Sequence, residues 1–189
     1  MTKAIGIVGS PRIGGNTEII TMHTLKAIEE EEIETELIRL AGLDIRPCNA
    51  CMACKEREMC PIDDDLFPIY TKMKEADAII LTSPVYFDSA SALLKALMER
   101  TGYIARNNGR LFAGKVGGCL AVGRRTGQNF TLAQVTSWFH TLGFFMPGSI
   151  HPNASFGWSK GDVEKDQEGI ATARSFGKNI ALLVKKLNK

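Results

Sequence analysis

At 189 residues, with 44% apolar and 23% charged side chains, the chain has the size and make-up of one ordinary globular domain. A net charge of +2 gives no electrostatic case for nucleic acid or a membrane surface. No apolar run approaches bilayer length and Met1-Thr2-Lys3 passes straight into a strand pattern, so neither a signal peptide nor an anchor is expected.

Strands and helices alternate along the chain. Ala4 to Gly9 is a short apolar run closed by Ser10-Pro11, which predicts a buried first strand. A helix follows from about Asn16, with Ile20, Ala27 and Ile28 on one face and the acidic block Glu29 to Glu32 at its end. Ile33 to Leu40 alternates apolar and polar residues as an edge strand would. A cysteine-rich insertion at about 44–65 precedes a helix from Leu66 to about Glu75. Asp77 to Thr82, with Ala-Ile-Ile-Leu at its centre, predicts a third strand broken by Ser83-Pro84, and a helix from about Ser89 to Tyr103. Lys115 to Val122 predicts a fourth strand, Gln128 to Leu142 a helix, and Phe144 to Ile150 a fifth strand. The last helix carries Ile170, Ala173, Gly177, Ile180, Ala181 and Val184 at three- and four-residue steps.

Short strands alternating with longer helices predict a parallel sheet covered on both faces. Five strands fit a flavodoxin-like three-layer α/β sandwich in the order 2-1-3-4-5, a single domain over 1–189. Its ligand would sit beyond the carboxyl ends of the strands, at the switch point between strands 1 and 3. The loop there reads Gly9-Ser10-Pro11-Arg12-Ile13-Gly14-Gly15-Asn16-Thr17. Gly14 and Gly15 allow backbone N–H groups close to an anion, the helix start adds partial positive charge, and Arg12 can make paired contacts with phosphate oxygens. The loop is a phosphate cradle but lacks the Gly-Lys-Ser/Thr ending of a nucleotide P-loop and the G-x-G-x-x-G of a dinucleotide turn. After strand 3, Ser83-Pro84-Val85-Tyr86-Phe87 places Tyr86 and Phe87 where a flat aromatic ligand would be bracketed. After strand 4, Gly123-Arg124-Arg125-Thr126-Gly127-Gln128 brings two cations to the same edge of the sheet.

Four of the five cysteines form the run Cys48-x-x-Cys51-x-x-Cys54-x(5)-Cys60-Pro61. Without a secretion signal they suit a reducing compartment, and the cytoplasm is the expected location. The run resembles the cluster-ligand run of bacterial ferredoxins, with a longer last gap, and points to a 4Fe-4S cluster. Zinc and unliganded redox-active thiols compete with that assignment, although zinc favours two separated cysteine pairs. Cys119, inside an apolar strand, is expected to be a buried small hydrophobe.

Gly9-Ser10-Pro11-Arg12 with Gly15-Asn16-Thr17, and Ser83-Pro84-Val85-Tyr86-Phe87 with Leu94 to Arg100 after it, resemble the signatures of the NADPH-dependent FMN reductase branch of flavodoxin-like proteins. The cysteine run with Asp63-Asp64-Asp65 is similar to the iron–sulfur flavoproteins of that group. The resemblance spans nearly the whole chain. It implies FMN held at its phosphate by Ser10, Arg12, Gly15, Asn16 and Thr17, and at its ring by Pro84, Val85, Tyr86 and Phe87. Arg125, Thr126, Gly127 and Gln128 would close the pocket. It also implies a 4Fe-4S cluster on Cys48, Cys51, Cys54 and Cys60, and assembly as a homodimer or homotetramer.

With these cofactors the expected activity is flavin-dependent oxidoreduction between a one-electron donor such as ferredoxin and a two-electron small-molecule acceptor, with no side-chain acid, base or nucleophile required. An NAD(P)H-dependent FMN or quinone reductase with structural or zinc-bound cysteines is the main alternative. A non-catalytic flavin or thiol redox sensor is another. Of the three histidines, His23, His140 and His151, none pairs with a nucleophile in sequence, and each is expected to be a packed or surface imidazole. The Asp63-Asp64-Asp65 cluster is expected to serve the start of the next helix. Trp138, Phe139, Phe144 and Phe145 are expected in the core or at a subunit interface.

Overall fold

The computed structural model describes residues 2–188 and shows a flavodoxin-like α/β sandwich. In chain order the elements are β1 (Lys3–Val8), α1 (Asn16–Glu29), β2 (Glu34–Arg39), α2 (Leu66–Glu75), β3 (Ala78–Tyr86), β4 (Ser89–Ala90), α3 (Ala92–Asn107), β5 (Val116–Gly123), α4 (Gln128–Leu142), β6 (Ala154–Phe156) and α5 (Gln167–Leu187). The main sheet runs β2-β1-β3-β5-β6, all parallel, in the expected order; the two-residue β4 is a sixth strand that pairs only with β3.

Strand alternation divides the core into two layers. Ile5, Ile7, Ile79, Leu81 and Cys119 face α2, α3 and α4, in one cluster with Met73, Leu97 and Phe139 of those helices and Phe112 of the turn after α3. Ala4, Ala78, Ile80, Leu120 and Val122 face α1 and α5 through Ile20, Ile28, Phe176 and Ile180. Of the four aromatic residues flagged by sequence, Phe139 and Phe144 are buried, Trp138 packs against them and donates its indole N–H to the Met98 carbonyl at 2.7 Å, and Phe145 is half exposed.

Two boundaries depart from sequence expectation, each for a local reason. Ser83-Pro84 does not end β3. Pro84 still pairs in register with Val122, and the strand continues into a tight hairpin in which Tyr86 pairs with Ser89. Phe87 and Asp88 take φ of 49° and 61°, the paired left-handed turn whose twist suits a two-residue hairpin. The hairpin delays α3 to Ala92, where Ser91 caps the helix by accepting the Leu94 N–H.

The last strand is also displaced. Phe145 makes one parallel bridge to Val116, after which Pro147 has no N–H to continue the ladder. The chain loops out, with Ser149 bonded to Asn153 Oδ1 at 2.6 Å and Asn153 Nδ2 donating to the Cys119 carbonyl at 3.0 Å. Pairing resumes at Ala154–Phe156, so the fifth parallel strand lies beyond the expected Phe144–Ile150.

Candidate cofactor sites

Two candidate sites lie along α3, one beside its N-cap Ser91, which bonds Gly9, and one against Arg100, Tyr103 and Ile104 in its second half. The first is a crevice at the carboxyl edge of the sheet, between the loops after β1, β3, β5 and β6. Gly15 occupies the N-cap of α1 without any side-chain cap, and Gly14 turns the chain with φ of +64°. The first-turn N–H groups of α1 are therefore free of side-chain capping, as an anion site requires. Around them stand the nearly buried Ser10 and Thr17, and Arg12, whose guanidinium donates to the Trp158 carbonyl at 3.4 Å. Ser10 Oγ accepts the Arg12 N–H at 3.1 Å and fixes the turn. Glu18 braces the loop from behind. It accepts the Gly14 N–H at 2.8 Å and pairs with Arg39 of β2 at 2.7 Å, and the hydrogen bond from Arg39 lowers its pKa against the effect of burial.

Pro84, Val85 and Tyr86 form the second wall. The residues after β5 divide. Arg124 lines the crevice and stacks on the Trp158 ring, 4.6 Å from its centroid. Arg125 and Thr126 are exposed, and Gln128 is buried beneath Gly123. Gly127, with φ of +89°, packs directly on the hairpin, where an added Cβ would lie 2.3 Å from Asp88 Oδ1. Phe87 projects entirely into solvent at the hairpin tip. Asn16 is committed to bracing: its amide donates to the Ser159 carbonyl at 2.9 Å and accepts the Val163 N–H at 3.3 Å.

Sequence reasoning missed the wall supplied by Gly157 and Trp158, with Lys160 lying over Gly14. With the last strand placed ten residues early, this loop did not fall at the carboxyl edge. The Trp-Ser-Lys-Gly stretch at 158–161, a turn signal between apolar segments, was the available clue.

The second site gathers Cys48, Cys51, Cys54 and Cys60 around a cavity of about 60 Å³, completed by Arg100, Tyr103 and Ile104 of α3. A single water needs only about 10–15 Å³. Ala50 and Met52 adopt left-handed φ of 57° and 64°, so the loop curls inward and the Ala50 N–H points to Cys48 Sγ at 3.4 Å. Helix α3 supplies further donors. Arg100 directs both Nε and Nη2 to Cys60 Sγ at 3.3 Å, and Asn107 Nδ2 lies 3.6 Å from Cys54 Sγ. Asn108 ties the Cys54 carbonyl at 2.9 Å.

Arg100 and its counter-ion Asp64 are almost wholly buried. Burial works against the guanidinium charge, but Asp64 and the Cys60 sulfur outweigh it and raise the pKa. Asp64 also accepts the backbone N–H groups of Arg46 at 3.0 Å and Leu66 at 3.2 Å. The aspartate cluster thus serves the start of α2, as expected, and clamps the cysteine loop as well.

Among the described residues, no three His, Cys, Asp or Glu side chains converge as one ion would need, with ligand sulfurs about 2.3 Å from a common point. Four cysteines around one cavity supply the thiolate donors that an iron–sulfur centre takes. Cys119 stays apart in β5, where burial pushes its thiol up to about 11. Among the described residues, no histidine lines either site. No described helix is long and apolar enough to cross a membrane.

Comparison with known proteins agrees with this fold. The profile of the NADPH-dependent FMN reductase family matches residues 2–159. An iron–sulfur flavoprotein of Methanocaldococcus jannaschii is 45% identical over 99% of this chain and 100% of its own. One from Methanosarcina thermophila is 36% identical over 99% and 97%, and one from Archaeoglobus fulgidus is 35% identical over 97% of each chain. Among solved structures, RosB with its bound intermediate 8-demethyl-8-formylriboflavin-5'-phosphate superposes with a TM-score of 0.81 at 19% identity, over all of this chain and 81% of that one. A WrbA-like flavodoxin from Agrobacterium tumefaciens gives 0.68 at 14% identity, over 98% and 99%. At these identities the two structures speak for the fold.

Proposed function

The chain belongs to the NADPH-dependent FMN reductase family, whose members are flavin-dependent oxidoreductases, and from that premise we propose that it is an iron–sulfur flavoprotein. In this proposal FMN occupies the crevice, a 4Fe-4S cluster occupies the cysteine cavity, and electrons pass between a one-electron donor such as ferredoxin and a two-electron acceptor. A flavin exchanges electrons singly or in pairs while a cluster carries one at a time, which is the chemistry such a pairing supplies.

The single observation that carries the reading is that one helix serves both sites. Ser91 at the start of α3 donates its hydroxyl to the Gly9 carbonyl at 2.6 Å, beside the phosphate loop. Arg100 and Asn107 of the same helix reach the cysteine sulfurs. At 1.5 Å per residue, Ser91 and Arg100 are about 14 Å apart along the axis.

The residues' roles are to bind and orient. Ser10, Thr17, Arg12 and the uncapped start of α1 hold the phosphate, with Lys160 close by. Pro84, Val85 and Tyr86 present backbone and an aromatic ring to the isoalloxazine, and Trp158 with Arg124 closes the far side. Cys48, Cys51, Cys54 and Cys60 ligate the cluster. An apolar rim of Ile13, Tyr86, Phe87, Phe130 and Trp158, all substantially exposed at the carboxyl edge, supports assembly of a homodimer or a dimer of dimers.

The test is anaerobic purification followed by visible spectroscopy and assay of FMN, iron and acid-labile sulfide. Yellow-brown protein with one FMN and four irons per chain is expected. Colourless protein that neither retains nor takes up FMN would overturn the proposal. A second reading, hydride supply by NAD(P)H, is favoured by the family itself and by the partial exposure of Tyr86 and Trp158 at the mouth. Rapid bleaching of the bound flavin by NADPH, with no need for ferredoxin, would select it.

A further inference from the structure

The guanidinium of Arg100 is a buried cation aimed at a cysteine sulfur, and neither flavin binding nor cysteine ligation accounts for it. Both Nε and Nη2 lie 3.3 Å from Cys60 Sγ, so the planar fork grips one sulfur from two nitrogens. Nη1 also reaches Asp64 and the Arg46 carbonyl at 3.0 Å, and Nη2 is shared with Asp64 and the Ile62 carbonyl at 3.4 Å, which fixes the group in place. The side chain is 2% exposed and that of Asp64 is 1% exposed, so water screens neither. Two turns along α3, Asn107 Nδ2 points at Cys54 Sγ from the same helix face.

We propose that Arg100 is a positioning residue that sets the reduction potential of the cluster, with Asn107 assisting at a second sulfur. The proposal rests on the four cysteines holding a 4Fe-4S cluster. Reduction adds one electron and one negative charge to the centre, breaks no bond and takes up no proton. That charge spreads onto the ligand sulfurs, and N–H donors fixed on them favour the reduced form over the oxidised one. Asp64 counters Arg100 at longer range, but the nitrogens are the nearer groups to the sulfur. Removing Arg100 therefore makes the cluster harder to reduce, and neutralising Asp64 makes it easier. The opposite signs separate this role from a purely structural one.

Wild type, Arg100→Met, Arg100→Lys, Asp64→Asn and Asn107→Leu are purified anaerobically as full chains. Iron, sulfide and FMN are assayed, and each cluster is titrated potentiometrically with its reduced form followed by electron paramagnetic resonance. At the wild-type midpoint the reduced-to-oxidised ratio in Arg100→Met is expected to fall about tenfold, which for one electron is a midpoint about 59 mV more negative. Arg100→Lys, which keeps the charge and loses the fork, falls between; Asp64→Asn shifts the other way; FMN content stays at the wild-type level. Should Arg100→Met fail to load iron, Arg100→Lys and Asn107→Leu decide, and unmoved midpoints in both overturn the proposal. Full iron with an unmoved midpoint in Arg100→Met overturns it alone. Wild-type protein without iron overturns it together with the cluster assignment beneath it.

Discussion

The five cysteines divide by environment. Cys119 sits between the sheet and α4, its sulfur 3.7 Å from the Leu132 carbonyl and 3.6 Å from Thr136 Oγ1, and burial holds its thiol near 11. At pH 8 its thiolate fraction would be about one in a thousand, three units below that value. The four loop cysteines are partly or fully exposed. After removal of iron and sulfide with a chelator, a thiol reagent at pH 8 is expected to modify four groups rapidly and the fifth only on unfolding. Five rapid groups would contradict the packing of β5. Within the loop, Cys54 is tied through its sulfur to Asn107 and through its carbonyl to Asn108. Cys54→Ala is therefore expected to lose the cluster absorbance while keeping FMN, because neither tether touches the crevice. Absorbance spectra with FMN content check this, and loss of FMN from that variant would show the two sites to be one cooperative unit.

At the scale of elements, the hairpin from Val85 to Ala90 and the start of α4 lock together at Gly127. The backbone there is left-handed at +89°, and a methyl group would lie 2.3 Å from Asp88 Oδ1 and 2.7 Å from Val85 Cγ1. Gly127→Ala must both strain the backbone and displace the hairpin, at a cost of about 1–3 kcal/mol. For a chain of this size that corresponds to roughly 2–12 °C in Tm. Because Val85 and Tyr86 wall the crevice, FMN affinity should weaken with it; thermal melts and fluorescence titration with FMN measure both. The same region shows what sequence can carry. Helix α4 was legible to the residue, since its apolar spacing and the turn chemistry before it are local signals. The end of β3 was not, because Ser83-Pro84 reads as a break unless the later hairpin partner, Ser89–Ala90, is known. The last strand failed for a related reason. Phe144 to Ile150 is the more apolar run, but Pro147 and the side-chain bonds of Asn153 move the pairing to Ala154–Phe156. That Ser10, Arg12 and Thr17 meet in one crevice and the four cysteines in one cavity was legible, because short chemical motifs announce those groupings. Arg100 and Trp158 act across long stretches of sequence, and no local pattern reports that.

At the scale of the whole molecule, the loop between β1 and α1 is held to the rest of the fold by a carboxylate. Glu18 on α1, whose side chain is 6% exposed, joins the Gly14 N–H of the loop to Arg39 at the end of β2. Its pKa is lowered from the ordinary 4.5, first by the hydrogen bond from Arg39, with burial opposing and the Gly14 N–H assisting. A carboxylate whose folded pKa lies below its unfolded one stabilises the fold fully above the unfolded value. That contribution is lost as pH falls below about 4.5 and through the lower folded pKa. Glu18→Gln removes the charge at every pH, so its deficit against wild type should be present near neutrality and close progressively in acid. Arg39 is partly exposed and screened, which limits the deficit to about 1–2 kcal/mol. Melting curves of the two proteins from pH 7 down to about pH 3 test the sign, since the curves must converge on the acid side. Parallel curves across the range would mean that Glu18 packs without its charge mattering. The loop would then owe its shape to Gly14 and the Ser10 turn alone, and FMN retention by Glu18→Gln at neutral pH would equal that of wild type.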